Sequence, residues 1–127
     1  MLNNEKYKLL IDSATELASC KEFDKEVNYR PFEEKVTKIA SSYKINKELY
    51  DFLKQSIDIY YKSDEKLAFT LFFILFTICR RQNYGDVLNL VKENENLFDE
   101  YMIMKHIYIM AVLSKSSHSS LVYKTLY

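Results

Sequence analysis

Residues 67–79 read Leu-Ala-Phe-Thr-Leu-Phe-Phe-Ile-Leu-Phe-Thr-Ile-Cys, a run whose only polar members are Thr70 and Thr77. A stretch this apolar is either a membrane span or a helix covered on most sides. As a helix it is ~20 Å long at ~1.5 Å per residue, against ~30 Å of bilayer hydrocarbon. Lys66 closes it at one end and Arg80-Arg81 at the other. It is therefore read as a central core helix, around which the rest of the chain must pack. Ser63-Asp64-Glu65 supplies its start: a capping hydroxyl at Ser63, then two acids at the positive end of the helix dipole.

Outward from this helix, the apolar spacing is helical wherever it is periodic. Before it, Tyr7, Leu10, Ile11, Ala14, Leu17 and Ala18 form one stripe and predict a helix over 4–18. Residues 20–30 are charged and aperiodic, a loop. Pro31 opens a second helix where a missing N–H costs nothing, with Phe32, Val36, Ile39, Ala40 and Tyr43 as its stripe. Asn46 caps a third, which runs to about Lys62 with Leu49, Leu53, Ile57 and Tyr60 on one face. After the core helix, Asn83 is expected to cap a fifth over 84–98, with Val87, Leu88, Val91 and Leu97 inward. A sixth covers 100–113, Ser116-Ser117 breaks it, and a seventh segment starts at His118.

Composition agrees with an all-α chain. One Gly and one Pro in 127 residues leave almost no material for hairpin turns or phosphate-cradling loops, which need positive φ. Apolar residues make up 48%, enough for the core of one domain spanning 1–127. Lys and Arg total 18 and Asp and Glu total 18, a balance that argues against a dedicated nucleic-acid binder. Cys20 and Cys79 are isolated thiols on apolar segments, read as reduced small hydrophobes rather than a disulfide or metal pair. With a polar N-terminus of mixed charge, they place the chain in a reducing cytoplasm.

An internal period organises the second half. A 34-residue shift lays Leu67 on Tyr101, Phe69 on Ile103, Phe73 on Ile107, Leu75 on Ile109 and Ile78 on Val112. It also lays Val87 on Leu121, Leu88 on Val122 and the break residue Asn83 on Ser117. Shifted the other way, Tyr84 falls on Tyr50, Val87 on Leu53 and Val91 on Ile57. In this register residues 65–127 resemble the tetratricopeptide-repeat family, a stack of antiparallel helix pairs. The resemblance is one of residue class, and weaker over 31–64, where Lys35 falls opposite Phe69. The family's small packing residues would fall at Leu75 and Val87, and its proline at Asp99, where this chain departs from the pattern. What it implies is a short α-solenoid of about seven helices. Residues 1–45 are then N-terminal helices and 46–127 are helical-hairpin repeats that can belong to a longer array.

No group of residues has the spacing of a catalytic site. Met102, His106 and Met110 share one helix face and are soft donors suited to Cu(I), but Met as core filler explains them without a metal. His118 among serines 116, 117, 119 and 120 lacks the glycines of a nucleophile elbow. Glu33-Glu34 and Glu93-Glu95 read as solvated charge beside lysines. Arg80-Arg81 either satisfies the last carbonyls of the core helix or meets an acidic partner tail. Eleven Tyr and eight Phe lean toward recognition. Tyr60-Tyr61 close the third helix, with at least one expected to face away from the core. Leu121, Val122 and Leu126 form a terminal apolar stripe with no following repeat to cover it.

These readings converge on a non-catalytic protein- or peptide-binding scaffold, without cofactor or metal. Tyr60, Tyr61, Arg80, Arg81, Leu121, Val122 and Leu126 are its candidate contact residues, and self-association through the C-terminal edge is expected. Nucleic acid and membrane are not expected partners. The alternative is a helical regulatory or ligand-sensing domain of a larger bacterial regulatory or defence assembly.

Overall fold

The computed structural model describes residues 5–19 and 30–126, with side chains described as far as Ser114. The described residues form six α-helices and no strand: α1 (Lys8–Ala18), α2 (Arg30–Ala40), α3 (Lys47–Tyr61), α4 (Glu65–Arg81), α5 (Val87–Asn94) and α6 (Ile103–Leu126). None of these helices is long and apolar enough to cross a membrane.

Helix α4 is the core. Every residue from Leu67 to Cys79 is buried, so the apolar run is covered on all sides. Helices α1, α2, α3 and α5 all pack on it, and α6 packs on α5. Rings fill the centre. The Phe69 ring lies parallel to Tyr101 at 4.3 Å, edge-on to Phe98 at 5.3 Å, and 6.3 Å from Phe32 of α2. The buried Thr70 and Ser56 hydroxyls are satisfied within their own helices. Thr70 donates to the Lys66 carbonyl and Ser56 to that of Phe52, both at 2.8 Å.

The link between α2 and α3 is pinned to the far end of α4 by one side chain. Gln82 accepts from the Ile45 N–H and donates to the Tyr43 carbonyl, both at 2.8 Å. The start of α3 therefore lies at the end of α4, and the two helices run antiparallel. A second tie joins the N-terminal segment to α3: Tyr7 packs on Phe52 with ring centroids 4.6 Å apart.

Several boundaries differ from those the sequence predicts, each for a local reason. Asn46 caps α3 as expected, accepting from the Leu49 N–H at 2.8 Å. The cap of α4 is Asp64 rather than Ser63; its carboxylate accepts from the Leu67 N–H at 3.1 Å. An ionised acceptor beside the positive helix end makes the stronger cap. Asp64→Ala is expected to cost ~1 kcal/mol in urea denaturation, whereas Ser63→Ala stays within about 0.5 kcal/mol of wild type.

Asn83 does not start α5; it ends α4. Its φ is +53°, and the Tyr84 N–H donates to the Cys79 carbonyl at 2.9 Å, the closing bond of a Schellman turn. Asn tolerates this left-handed conformation better than other side-chain-bearing residues. Gly85, at φ +68°, follows, and Asp86 caps α5 by accepting from the Asn89 N–H at 3.1 Å. Helix α5 ends at Asn94, short of the expected residue 98, because Phe98 and Tyr101 turn inward onto Phe69. Helix α1 begins at Lys8 rather than residue 4.

The sixth and seventh expected segments are one helix. Ser116 and Ser117 lie inside α6 and do not break it. Serine costs a helix only ~0.5 kcal/mol relative to alanine, and no Gly or Pro is present to stop the chain there. The expected loop over 20–30, apart from Arg30, and Cys20 itself lie outside the described residues.

Candidate functional site

Among the described residues, the outer side of α6 and the turn residue just before it carry the large exposed apolar side chains of this half of the molecule. Met102, Ile109 and Leu113 are 60%, 54% and 58% exposed, and Tyr108 is 39% exposed. Their helix faces α5 with Ile103, Met104, Ile107 and Ala111, all buried. The 34-residue register keeps its burial at Leu67 with Tyr101, at Phe69 with Ile103 and at Phe73 with Ile107, six buried residues. It loses it at Leu75, which is fully covered, against Ile109, which is exposed. The difference is one of cover. Helix α4 has neighbours on every side, whereas no described residue lies over the outer side of α6.

Beside this stripe runs a groove of about 450 Å³ between α6 and the 95–99 turn. Met104, Tyr108 and Ile109 form its apolar wall, Glu95, Asn96 and Asp99 its polar rim, and Lys105 its single cation. Two carboxylates against one ammonium leave the rim with a net negative charge.

A second, smaller cavity of about 270 Å³ lies where the end of α4 meets the start of α5 and the middle of α6. Arg80, Asp86, Val87, Leu88, Cys79 and Ser114 contribute to its walls. The Arg80 guanidinium lies over the Phe76 ring at 6.0 Å, and its Nε is shut off from solvent with no hydrogen-bond acceptor. Arg80 Nε thus caps no α4 carbonyl, and the Ile78 and Cys79 carbonyls accept instead from the Gln82 and Tyr84 N–H groups. Burial pushes the Cys79 thiol up to about 12, so the sulfur is neutral and unsuited to nucleophilic or metal chemistry.

The chain matches no family model, no curated protein and no solved structure.

Tyr60 and Tyr61, at the end of α3, and Arg80 and Arg81, at the end of α4, lie at opposite ends of the antiparallel helix pair. Tyr60 and Tyr61 are both half-buried against the core, and Tyr61 meets the Phe98 ring edge-on at 5.8 Å. Neither faces fully outward, which corrects that expectation; the exposed apolar residue at this place is Ile59. Two consecutive aromatics at the end of α3 both find apolar cover because the 95–101 turn folds back beside them. Arg81 is exposed, and Arg80 is half-buried. Leu121, Val122 and Leu126 lie on α6 by their backbone, but the expectation placed on their side chains lies outside the described residues.

His106 Nε2 of α6 lies 3.0 Å from Glu33 Oε2 of α2, close but without hydrogen-bond geometry, both side chains about one-third exposed. Glu33 is thus not the freely solvated carboxylate its neighbours suggested. Met102, four residues before His106, is exposed, and Met110 is half-buried against the core. Among the described residues no three His, Cys, Asp or Glu side chains come together as a metal site. Glu93 is held by Lys54 at 3.2 Å and by Asn89 at 2.9 Å.

The groove and the exposed stripe of α6 were missed in the sequence. Their signal was present as Met102, Tyr108, Ile109 and Leu113. A helix apolar nearly all round gives no indication of which side its neighbours leave bare.

Proposed function

We propose that the chain is a non-catalytic protein-binding module of the helical-array type, with the outer side of α6 as its docking face. The observation supporting this reading is the stripe of Met102, Ile109 and Leu113, exposed beside the groove. Large apolar side chains set in one contiguous strip and rimmed by polar residues mark interaction surfaces more often than single exposed ones. The occupant we commit to is an amphipathic helix of a partner protein. Its apolar side would lie on Tyr108 and Ile109, and its Lys or Arg residues would meet Glu95 and Asp99.

Affinity capture with the full chain, followed by hydrogen exchange on the purified complex, tests this. A partner is expected to protect the amides around residues 104–113. Ile109→Glu should weaken binding by at least about tenfold, and Ile59→Glu should leave it unchanged. A partner that protects other helices and ignores Ile109→Glu overturns the assignment. A concentration-dependent dimer abolished by Ile109→Glu would make the occupant a second copy of this chain, and the partner-helix reading would be wrong.

A second reading, a ligand-sensing domain within a larger regulatory assembly, is favoured by the Arg80 cavity.

A further inference from the structure

The cavity at the end of α4 stands apart from the α6 groove, and its chemistry is different. Arg80, the one cation among its described lining residues, has no carboxylate within ion-pair distance among the described residues. The guanidinium is packed against Phe76, and Nε is closed to water without an acceptor. A guanidinium with one edge already desolvated has less hydration left to lose when an anion arrives. Its planar fork matches a carboxylate through two parallel hydrogen bonds.

The remaining walls narrow the class. Val87, Leu88 and the neutral Cys79 offer an apolar surface, and Ser114 offers a hydroxyl. Asp86 adds a negative charge, with one carboxylate oxygen committed to the Asn89 N–H. That charge opposes a dianion more strongly than a monoanion. The volume, about 270 Å³, lies at the small end of ligand cavities.

We propose that this cavity binds a small aliphatic monocarboxylate, with Arg80 holding the carboxylate and Val87 and Leu88 holding the hydrocarbon tail. The carboxylate can come from a free short-chain acid or from the C-terminal residue of a peptide. The inference does not depend on the α6 docking face.

The full chain is titrated with 4-methylpentanoate, N-acetyl-L-leucine, N-acetyl-L-leucinamide and inorganic phosphate, following backbone amide shifts by NMR. Both carboxylates are expected to shift the amides of residues 83–88 saturably, while the amide and phosphate do not. Tighter binding of N-acetyl-L-leucine assigns the site to a peptide terminus, and tighter binding of 4-methylpentanoate assigns it to a free acid. Arg80→Met, which keeps the stem over Phe76, should weaken either carboxylate by at least about tenfold. Arg80→Lys, which keeps the charge without the fork, should bind with intermediate affinity and controls for a folding loss in Arg80→Met. Asp86→Asn still caps α5 and is expected to tighten carboxylate binding. Failure of both carboxylates to bind the wild type overturns the proposal, as does equal binding of the amide or of phosphate. Undiminished binding to a folded Arg80→Met variant overturns it as well.

Discussion

Phe69→Ala is expected to destabilise the protein by ~3–5 kcal/mol, a large share of the ~5–15 kcal/mol that holds a domain together. The ring is 1% exposed and meets three rings from two other parts of the chain: Phe32 from α2, and Phe98 and Tyr101 from the turn before α6. Removing it leaves a cavity that cannot close, because its walls belong to elements fixed by other contacts. Urea denaturation followed by far-ultraviolet circular dichroism measures the loss. Phe69→Leu should lose less, since part of the volume remains filled. A loss below about 1 kcal/mol for the alanine variant would mean that Phe69 does not join these elements into one core.

The second large effect is expected at Ile107→Ala, ~2–5 kcal/mol, with unfolding still in a single transition. Ile107 is fully buried on the inner side of α6. In a stack of independent repeats, weakening the last pair would let α5 and α6 melt before the rest. Here α6 is tied across the molecule. Tyr101, just before it, stacks on Phe69 of α4, and His106 reaches Glu33 of α2. Hydrogen exchange in moderate urea distinguishes the two cases. The amides of α3 and α6 should open with the same free energy. Early opening of α6 alone would make the C-terminal pair a separate unit.

Much of this architecture was legible in the residues themselves. The burial of α4 follows from its composition: a helix with no polar face can be stable only if covered. Phe73 and Ile107, expected at buried positions, are both buried. The stripe of α3 and its cap at Asn46 follow from local rules that need no knowledge of neighbours. The start of α5 was harder to read, because Asn83 suits a helix start and a left-handed helix end equally well. Only the Tyr84-to-Cys79 bond decides between them.

The candidate site was the least legible part. Gln82, an ordinary exposed amide in the sequence, serves two backbone groups 37 and 39 residues away. Glu33 and His106 sit on helices far apart in the chain, and nothing in their local context announces the pair.

By itself the sequence determined that the chain is helical, that residues 67–79 are its centre, and which stripe α1, α2 and α3 turn inward. These properties depend on spacing and on the near absence of Gly and Pro, which act within a few residues. Tertiary structure alone decided that Ser116 and Ser117 continue a helix, that Tyr60 and Tyr61 find cover, and that Ile109 and Leu113 do not. Among the described residues Arg80 is left without a carboxylate for the same reason. Exposure and pairing are set by which surfaces remain after all the helices have packed, and that remainder depends on the whole chain at once.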